Sequence, residues 1–196
     1  ACVKPSLIVM DRGIVDSGEA AWLDGIFKKM PSPSFRIDLA DEPSNGWLGW
    51  ADVLKPTQNS NALGKLAQRR FKFDEVSLIT VSSGTSGVAK LCEWPEGAQM
   101  CKSRVLGERL GLTPDDHVGI FAPMSGAAGL VVWMTSASTP FLCTFPSSFK
   151  AAHLLHLIHK YKITVATTVP VILARMAQEE LHSYDLSSLR QLRVGT

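Results

Sequence analysis

Nine consecutive residues, Ser82-Ser83-Gly84-Thr85-Ser86-Gly87-Val88-Ala89-Lys90, carry groups suited to holding a polyphosphate. Four hydroxyls and a run of backbone N–H groups supply donors, and the Lys90 ammonium supplies positive charge. Gly84 and Gly87 let the backbone come close to a ligand and adopt positive φ. The residues alone leave a second reading open, a Ser/Gly turn joining two strands. Spacing narrows the kind of phosphate loop. A Walker A loop ends in Gly-Lys-Ser/Thr so that the hydroxyl reaches Mg²⁺. Here Val88 and Ala89 separate Gly87 from Lys90, and Leu91 follows the lysine. A helix-opening GxGxxG is absent as well.

Other residues invite chemistry that their surroundings do not support. His153, His156 and His159 fall at three-residue intervals, but Ala151, Leu154, Leu155 and Ile158 form the apolar stripe of the same stretch. A solvated or partner-facing row explains these histidines better than zinc, whose ligands must converge on one point. Asp115-Asp116-His117 reads as a turn before a strand rather than as an acid–base group. Arg69-Arg70 is too small a cluster for a nucleic-acid patch, and the loop serines have no local His/Asp pattern that would make one a nucleophile. Cys2, Cys92, Cys101 and Cys143 lack metal-ligand or CxxC spacing, which points to free thiols in a reducing compartment. No residue is assigned as a metal ligand.

The elements that must position the loop follow from periodicity. Val76–Val81 is a strand leading into it. Downstream, strands are expected at His117–Phe121, Phe141–Phe145, Ile163–Thr167 and Leu189–Val194. Helices are expected between them at about 127–136, 148–161 and 171–181. Strand and helix alternating at this spacing means right-handed βαβ crossovers and a largely parallel sheet, an α/β fold. The near-continuous apolar strands fit a sheet covered on both faces. A smaller unit of the same kind precedes the loop, with strands Leu7–Met10 and Phe35–Ile37 around a helix capped by Ser17 and ended by Pro31 and Pro33. Residues 41–68 read as a connecting loop with one short helix near 47–54. Two parts are therefore expected, 1–74 and 75–196.

Composition sets outer limits. The chain has 196 residues, of which 19% are charged, below the roughly 25% of ordinary soluble domains. With five tryptophans, that low charge suggests surfaces covered by further protein. The net charge of +2 gives no reason to expect nucleic acid or an anionic membrane as partner. No membrane span and no signal peptide is visible, so a cytoplasmic location is expected. The chain begins at Ala1 and stops at Thr196 directly after a strand-like segment, and both ends read as cut.

The loop from Ser82 to Lys90 resembles the Thr-Ser-Gly-Thr-Thr-Gly-x-Pro-Lys signature of adenylate-forming enzymes. These include acyl- and aryl-CoA synthetases, aryl acid–AMP ligases, nonribosomal adenylation domains and firefly luciferase. Ala89 stands where that family usually has proline. Further segments are similar in the right order: Leu110–Asp116, Phe121-Ala122-Pro123-Met124, Thr167-Thr168-Val169-Pro170, and Leu189-Arg190 with Gly195-Thr196. The likeness is good over 75–196 and weak before it.

The resemblance implies that a substrate carboxylate attacks the α-phosphate of ATP, giving an acyl-adenylate and pyrophosphate. Ser82, Ser83, Gly84, Thr85, Ser86, Gly87 and Lys90 would hold the ATP phosphates, with Mg²⁺ bridging their oxygens. Ser125, Gly126, Ala127, Val169 and Pro170 would line the acyl pocket, and Gly195 and Thr196 would lie beside adenine. Where many relatives have an aromatic residue and a histidine after Pro123-Met124, this chain has Ser125 and Gly126. Close helix packing and a roomier pocket for a bulky acid both account for that. Thioester formation with CoA or a carrier-protein pantetheine is the implied second step. The family's Tyr-Gly-x-Thr-Glu and Thr-Gly-Asp segments and its C-terminal catalytic domain are not in these residues. The chain is thus expected to be part of a large N-terminal domain, to need the rest of its own polypeptide, and not to complete adenylation alone. Two readings compete with an acid–thiol ligase: a luciferase-like oxidation of the adenylate, and a non-catalytic nucleotide- or phosphate-binding α/β module.

Overall fold

A computed structural model describes residues 5–12, 17–29, 33–56, 61–82 and 90–195. They fall into two compact units that divide between Gln68 and Arg69. In the first, β1 (Leu7–Met10), α1 (Ser17–Lys29) and β2 (Phe35–Asp38) form a βαβ unit, and β3 (Leu48–Gly49) adds a third parallel strand. The short α2 (Trp50–Val53) and α3 (Ala62–Gln68) follow. The expectation of a loop over 41–68 with one short helix is corrected here by β3 and α3. Two residues are too few to show a strand period, and Gly64 through Gln68 are all exposed, so α3 has no apolar stripe there to reveal it.

At the end of β2 the buried Asp38 carboxylate gathers the chain around it. It accepts hydrogen bonds from the N–H groups of Arg12 at 3.1 Å, Ala40 at 3.1 Å and Ser44 at 2.9 Å, and from the Ser44 hydroxyl at 2.8 Å. Burial pushes this carboxyl upward, but those bonds to its charged form win and hold it at about 2.

The second unit opens with an antiparallel hairpin, β4 (Val76–Val81) and β5 (Leu91–Pro95). Then come α4 (Glu96–Arg109), β6 (His117–Phe121), α5 (Ala127–Met134), β7 (Leu142–Thr144), α6 (Ala151–Tyr161), β8 (Val165–Thr168), α7 (Pro170–Met176) and β9 (Gln191–Val194). Strands β7-β6-β8-β9 form an all-parallel sheet in that order. Right-handed crossovers then dictate the layers. The step from β6 out to β7 puts α5 on one face; the steps from β7 to β8 and from β8 to β9 run the other way and put α6 and α7 opposite. Side chains obey this. Val118, Ile120 and Val165 pack with Val132 of α5, while Phe121 and Ala166 pack with Leu154, Leu155 and Ile158 of α6 and with Ile172 and Met176 of α7. Each fully buried aliphatic or aromatic side chain of this kind contributes about 1.5–3 kcal/mol relative to exposure.

Helix α4 shows no sequence signal of its own because it packs through small and polar residues. Its buried positions are Gly97, Gln99, Ser103 and Gly107. A Cβ on Gly97 would come within 2.4 Å of the Phe73 ring, and one on Gly107 within 3.1 Å of the Thr135 side chain. Gln99 is held by Nε2–H donation to Ser77 Oγ at 2.6 Å.

One buried charge ties the amino ends of the sheet. The Asp116 carboxylate accepts from Arg190 Nε at 3.0 Å and Arg190 Nη2 at 2.8 Å, from Thr164 Oγ1 at 2.6 Å, and from Thr113 N–H at 2.9 Å. Arg190 also donates to the Gly111 carbonyl at 2.9 Å. Hydrogen bonding from Arg190 holds the Asp116 carboxyl well below the usual carboxylate range, against burial and with help from Thr164 and Thr113. A carboxylate depressed on folding stabilises the fold above its unfolded value, near 3.9, and loses that contribution as pH falls. Arg190→Met should therefore cost about 1–3 kcal/mol in urea unfolding at pH 7. That is less than for a fully buried pair, because the Arg190 side chain is 43% exposed. The gap to wild type should narrow below about pH 4; a gap that stays constant with pH would contradict this account.

Candidate functional site

Strands β4 and β5 flank the hydroxyl- and glycine-rich segment and close at its mouth. Ser82 N–H donates to the Lys90 carbonyl at 2.9 Å, and Lys90 N–H donates to Ser82 Oγ at 3.3 Å. Lys90 itself is exposed. The expected phosphate-holding residues Ser83, Gly84, Thr85, Ser86 and Gly87 lie outside the described residues. Across the hairpin Trp94 donates Nε1–H to Thr80 Oγ1 at 2.9 Å, and Lys102 Nζ of α4 stands 4.3 Å from the centre of the Trp94 ring.

The parallel sheet places the remaining expected residues at one end. From β6 the chain steps to β7 on one side and returns to β8 on the other, so connections part between β6 and β8. Ligands of open α/β sheets bind outside the carboxyl ends of the strands at such a point. Ser125, Gly126 and Ala127 follow β6, Val169 and Pro170 follow β8, and Gly195 follows β9. The registers Phe121↔Thr168 and Thr168↔Val194 set these segments side by side, and Gly195 N–H donates to the Thr168 carbonyl at 3.2 Å. Ser125, Ala127 and Pro170 are exposed, whereas Val169 packs against the core under α6 and α7. Thr196 lies outside the described residues. The same end of β8 carries the buried Thr168 hydroxyl, which has no hydrogen-bond partner among the described residues.

Two glycines beside this end differ in what they permit. A Cβ on Gly129 would sit 2.6 Å from the Ala122 carbonyl oxygen and 2.8 Å from that of Pro123, so only glycine lets α5 come this close. A Cβ on Gly126 would meet nothing nearer than the Pro123 carbonyl oxygen at 3.7 Å. Close packing thus accounts for Gly129, while a Cβ at Gly126 would make only ordinary van der Waals contact.

A cavity of about 280 Å³ opens beside Ala127 and Ala128, walled by α4 and α5 and by Arg193 of β9. A larger apolar cavity of about 340 Å³ touches Met134, in the last turn of α5, and so is away from the carboxyl ends. Among the described residues no three His, Cys, Asp or Glu side chains converge where a metal ion would sit, and no helix is long and apolar enough to cross a membrane.

Residues 3–196 match the AMP-binding enzyme family. The chain belongs to that family. AMP-binding relatives include the mitochondrial acyl-coenzyme A synthetase ACSM5 of Homo sapiens, 26% identical over 93% of this chain and 31% of the relative. Another is 4-coumarate–CoA ligase 1 of Oryza sativa subsp. japonica, 27% identical over 85% of this chain and 32% of the relative. The chain therefore spans about a third of the length of these AMP-binding enzymes. Its fold is that of a red-emitting luciferase from Phrixothrix hirtus, with a TM-score of 0.78 at 21% identity over 98% of this chain and 37% of the luciferase.

Sequence reasoning missed the cations around the smaller cavity, Lys102, Arg109 and Arg193. Lys102 and Arg109 are seven apart, two helical turns, and so share a face of α4. That signal was available only to a reader who knew α4 to be a helix.

Gly129→Ala should destabilise the AMP-binding chain by about 1–3 kcal/mol through overpacking against backbone. Gly126→Ala should stay within about 1 kcal/mol of wild type, since a lost N-cap preference and a stiffened unfolded chain oppose each other. Thermal unfolding of both variants checks the contrast, and equal losses would show that Gly126 is packed as tightly as Gly129.

Proposed function

We propose that this chain supplies the nucleotide-phosphate and acyl-binding part of an acid–thiol ligase. A carboxylate oxygen of the acid attacks the α-phosphorus of ATP, and the bond to the β-phosphate oxygen breaks. Acyl-AMP forms and pyrophosphate leaves with the electron pair. The acyl-AMP then passes its acyl group to the thiol of CoA or of a carrier-protein pantetheine, releasing AMP. The substrate class is an aryl or bulky acyl acid. The observation that carries the reading is the convergence of three sequence-distant segments, 125–127, 169–170 and 195, on adjacent carboxyl ends of one parallel sheet.

Each part of the chain then has a physical role. Lys90 and the hydroxyl-rich segment hold the β- and γ-phosphates, so that hydroxyl and N–H donors and an ammonium meet the charge building on the leaving pyrophosphate. The segment after β6 receives the acid, and the small residues Ser125, Gly126 and Ala127 leave room for bulk there. Holding both reactants in line is itself most of the catalysis in such a transfer. Mg²⁺ would ride on the phosphate oxygens, supplying charge neutralisation. The remaining polypeptide completes the reaction, so this stretch alone does not turn over.

The test is acid-dependent ATP–pyrophosphate exchange by the full-length polypeptide, with a panel from acetate through benzoates to polycyclic acids. Exchange is expected with aryl or bulky acids, and Lys90→Ala should lower it by about 10²-fold. Nucleotide binding without exchange for any acid would make the protein a binding module and end the ligase reading.

A further inference from the structure

The cavity beside Ala127 and Ala128 has an unusual balance of charge. Lys102 and Arg109 reach it from one face of α4 and Arg193 from β9, while Val131 contributes to its apolar wall. None of its lining residues is acidic. The Arg193 guanidinium is anchored by donation to Thr167 Oγ1 at 3.0 Å, from a threonine that is itself buried. The Lys102 ammonium is steadied over the Trp94 ring, a contact that leaves its charge uncompensated. The only ion pair that α4 makes among the described residues is Arg104 with Glu108, so neither Lys102 nor Arg109 has an anionic partner there. Three like charges around one small cavity make it a place that favours an anion.

We propose that this cavity receives a second carboxylate of the acid substrate, making the preferred acid a dicarboxylate. The inference rests on the acid-activating reading above and names its substrate class. The cavity begins at Ala127, the residue that follows Gly126 at the carboxyl end of β6, so an acid seated there extends its far end toward the cations. The apolar wall at Val131 takes the body of the acid. Two arginines offer forked donors that match a carboxylate in two parallel bonds, which a neutral or hydroxylated tail cannot use. A monoacid of the same shape makes none of these bonds, and the diacid is preferred by that difference.

Paired probes test this on the full-length polypeptide: terephthalate against benzoate, and adipate against hexanoate, in ATP–pyrophosphate exchange and in calorimetric binding without ATP. The diacid of at least one pair should be favoured about tenfold or more in kcat/KM and in affinity. The double variant Lys102→Gln, Arg109→Gln should lose that preference. The double variant Lys102→Glu, Arg109→Glu should turn it toward 4-(aminomethyl)benzoate over terephthalate. Both positions are exposed, and melting curves of the variants confirm that they fold. Monoacids that exchange as well as diacids, or a preference unmoved by both variants, would overturn the dicarboxylate assignment and leave the ligase standing. No exchange with any acid would remove both.

Discussion

The parallel sheet of the second unit depends on one buried charge, the Asp116 carboxylate at the amino end of β6. Four parallel strands drawn from distant parts of the chain have no hairpins to fix their register, so something must pin them. Asp116 does it by taking hydrogen bonds from the turn before β6, from Thr164 before β8 and from Arg190 before β9. Arg190 reaches on to the carbonyl of Gly111, just past the end of α4. With the amino ends bound together in this way, the segments after the carboxyl ends are spared that task.

The two faces of that sheet are built differently. Under α6 and α7 the core is large aliphatic and aromatic side chains, closed over by Val169, Leu186 and Leu192. On the α5 side the layer includes α4, which seats itself through glycines, a serine and a glutamine rather than through bulk. Two cavities of this unit lie along α4, one on each side of it. A helix packed by small residues leaves gaps where its neighbours' side chains do not meet. The gap beside Ala127 is the one proposed above to take in the acid.

Much of this was legible in the residues. The strands at 76–81 and 117–121, a helix ending at Tyr161 and the parallel sheet of the C-terminal half follow from apolar runs and turn residues. The histidines at 153, 156 and 159 sit as expected beside a buried stripe of Ala151, Leu154, Leu155 and Ile158. Three things were not legible, each for a physical reason. Helix α4 hides because glycine and serine at buried positions carry no hydrophobic period. The pairing of Asp116 with Arg190 spans 74 residues, and local spacing says nothing about partners that only a sheet brings together. The Lys102, Arg109 and Arg193 trio joins a helix to a strand and was hidden for both reasons. The likeness of the Ser82–Lys90 loop to adenylate-forming enzymes, by contrast, needed no structure, since it lives in residue identity and order.

The contact at Gly129 has a consequence for how such a site can change over generations. The carbonyl oxygens of Ala122 and Pro123 crowd the place where a Cβ on Gly129 would sit, so the first turn of α5 rests directly on the backbone that leaves β6. Position 129 therefore cannot take a side chain unless the backbone beside it shifts. Novelty must come one side chain at a time at places such as Gly126, where a larger residue can be added without moving the frame. A lineage built on this corner would keep residue 129 fixed and vary shape and charge at its neighbours.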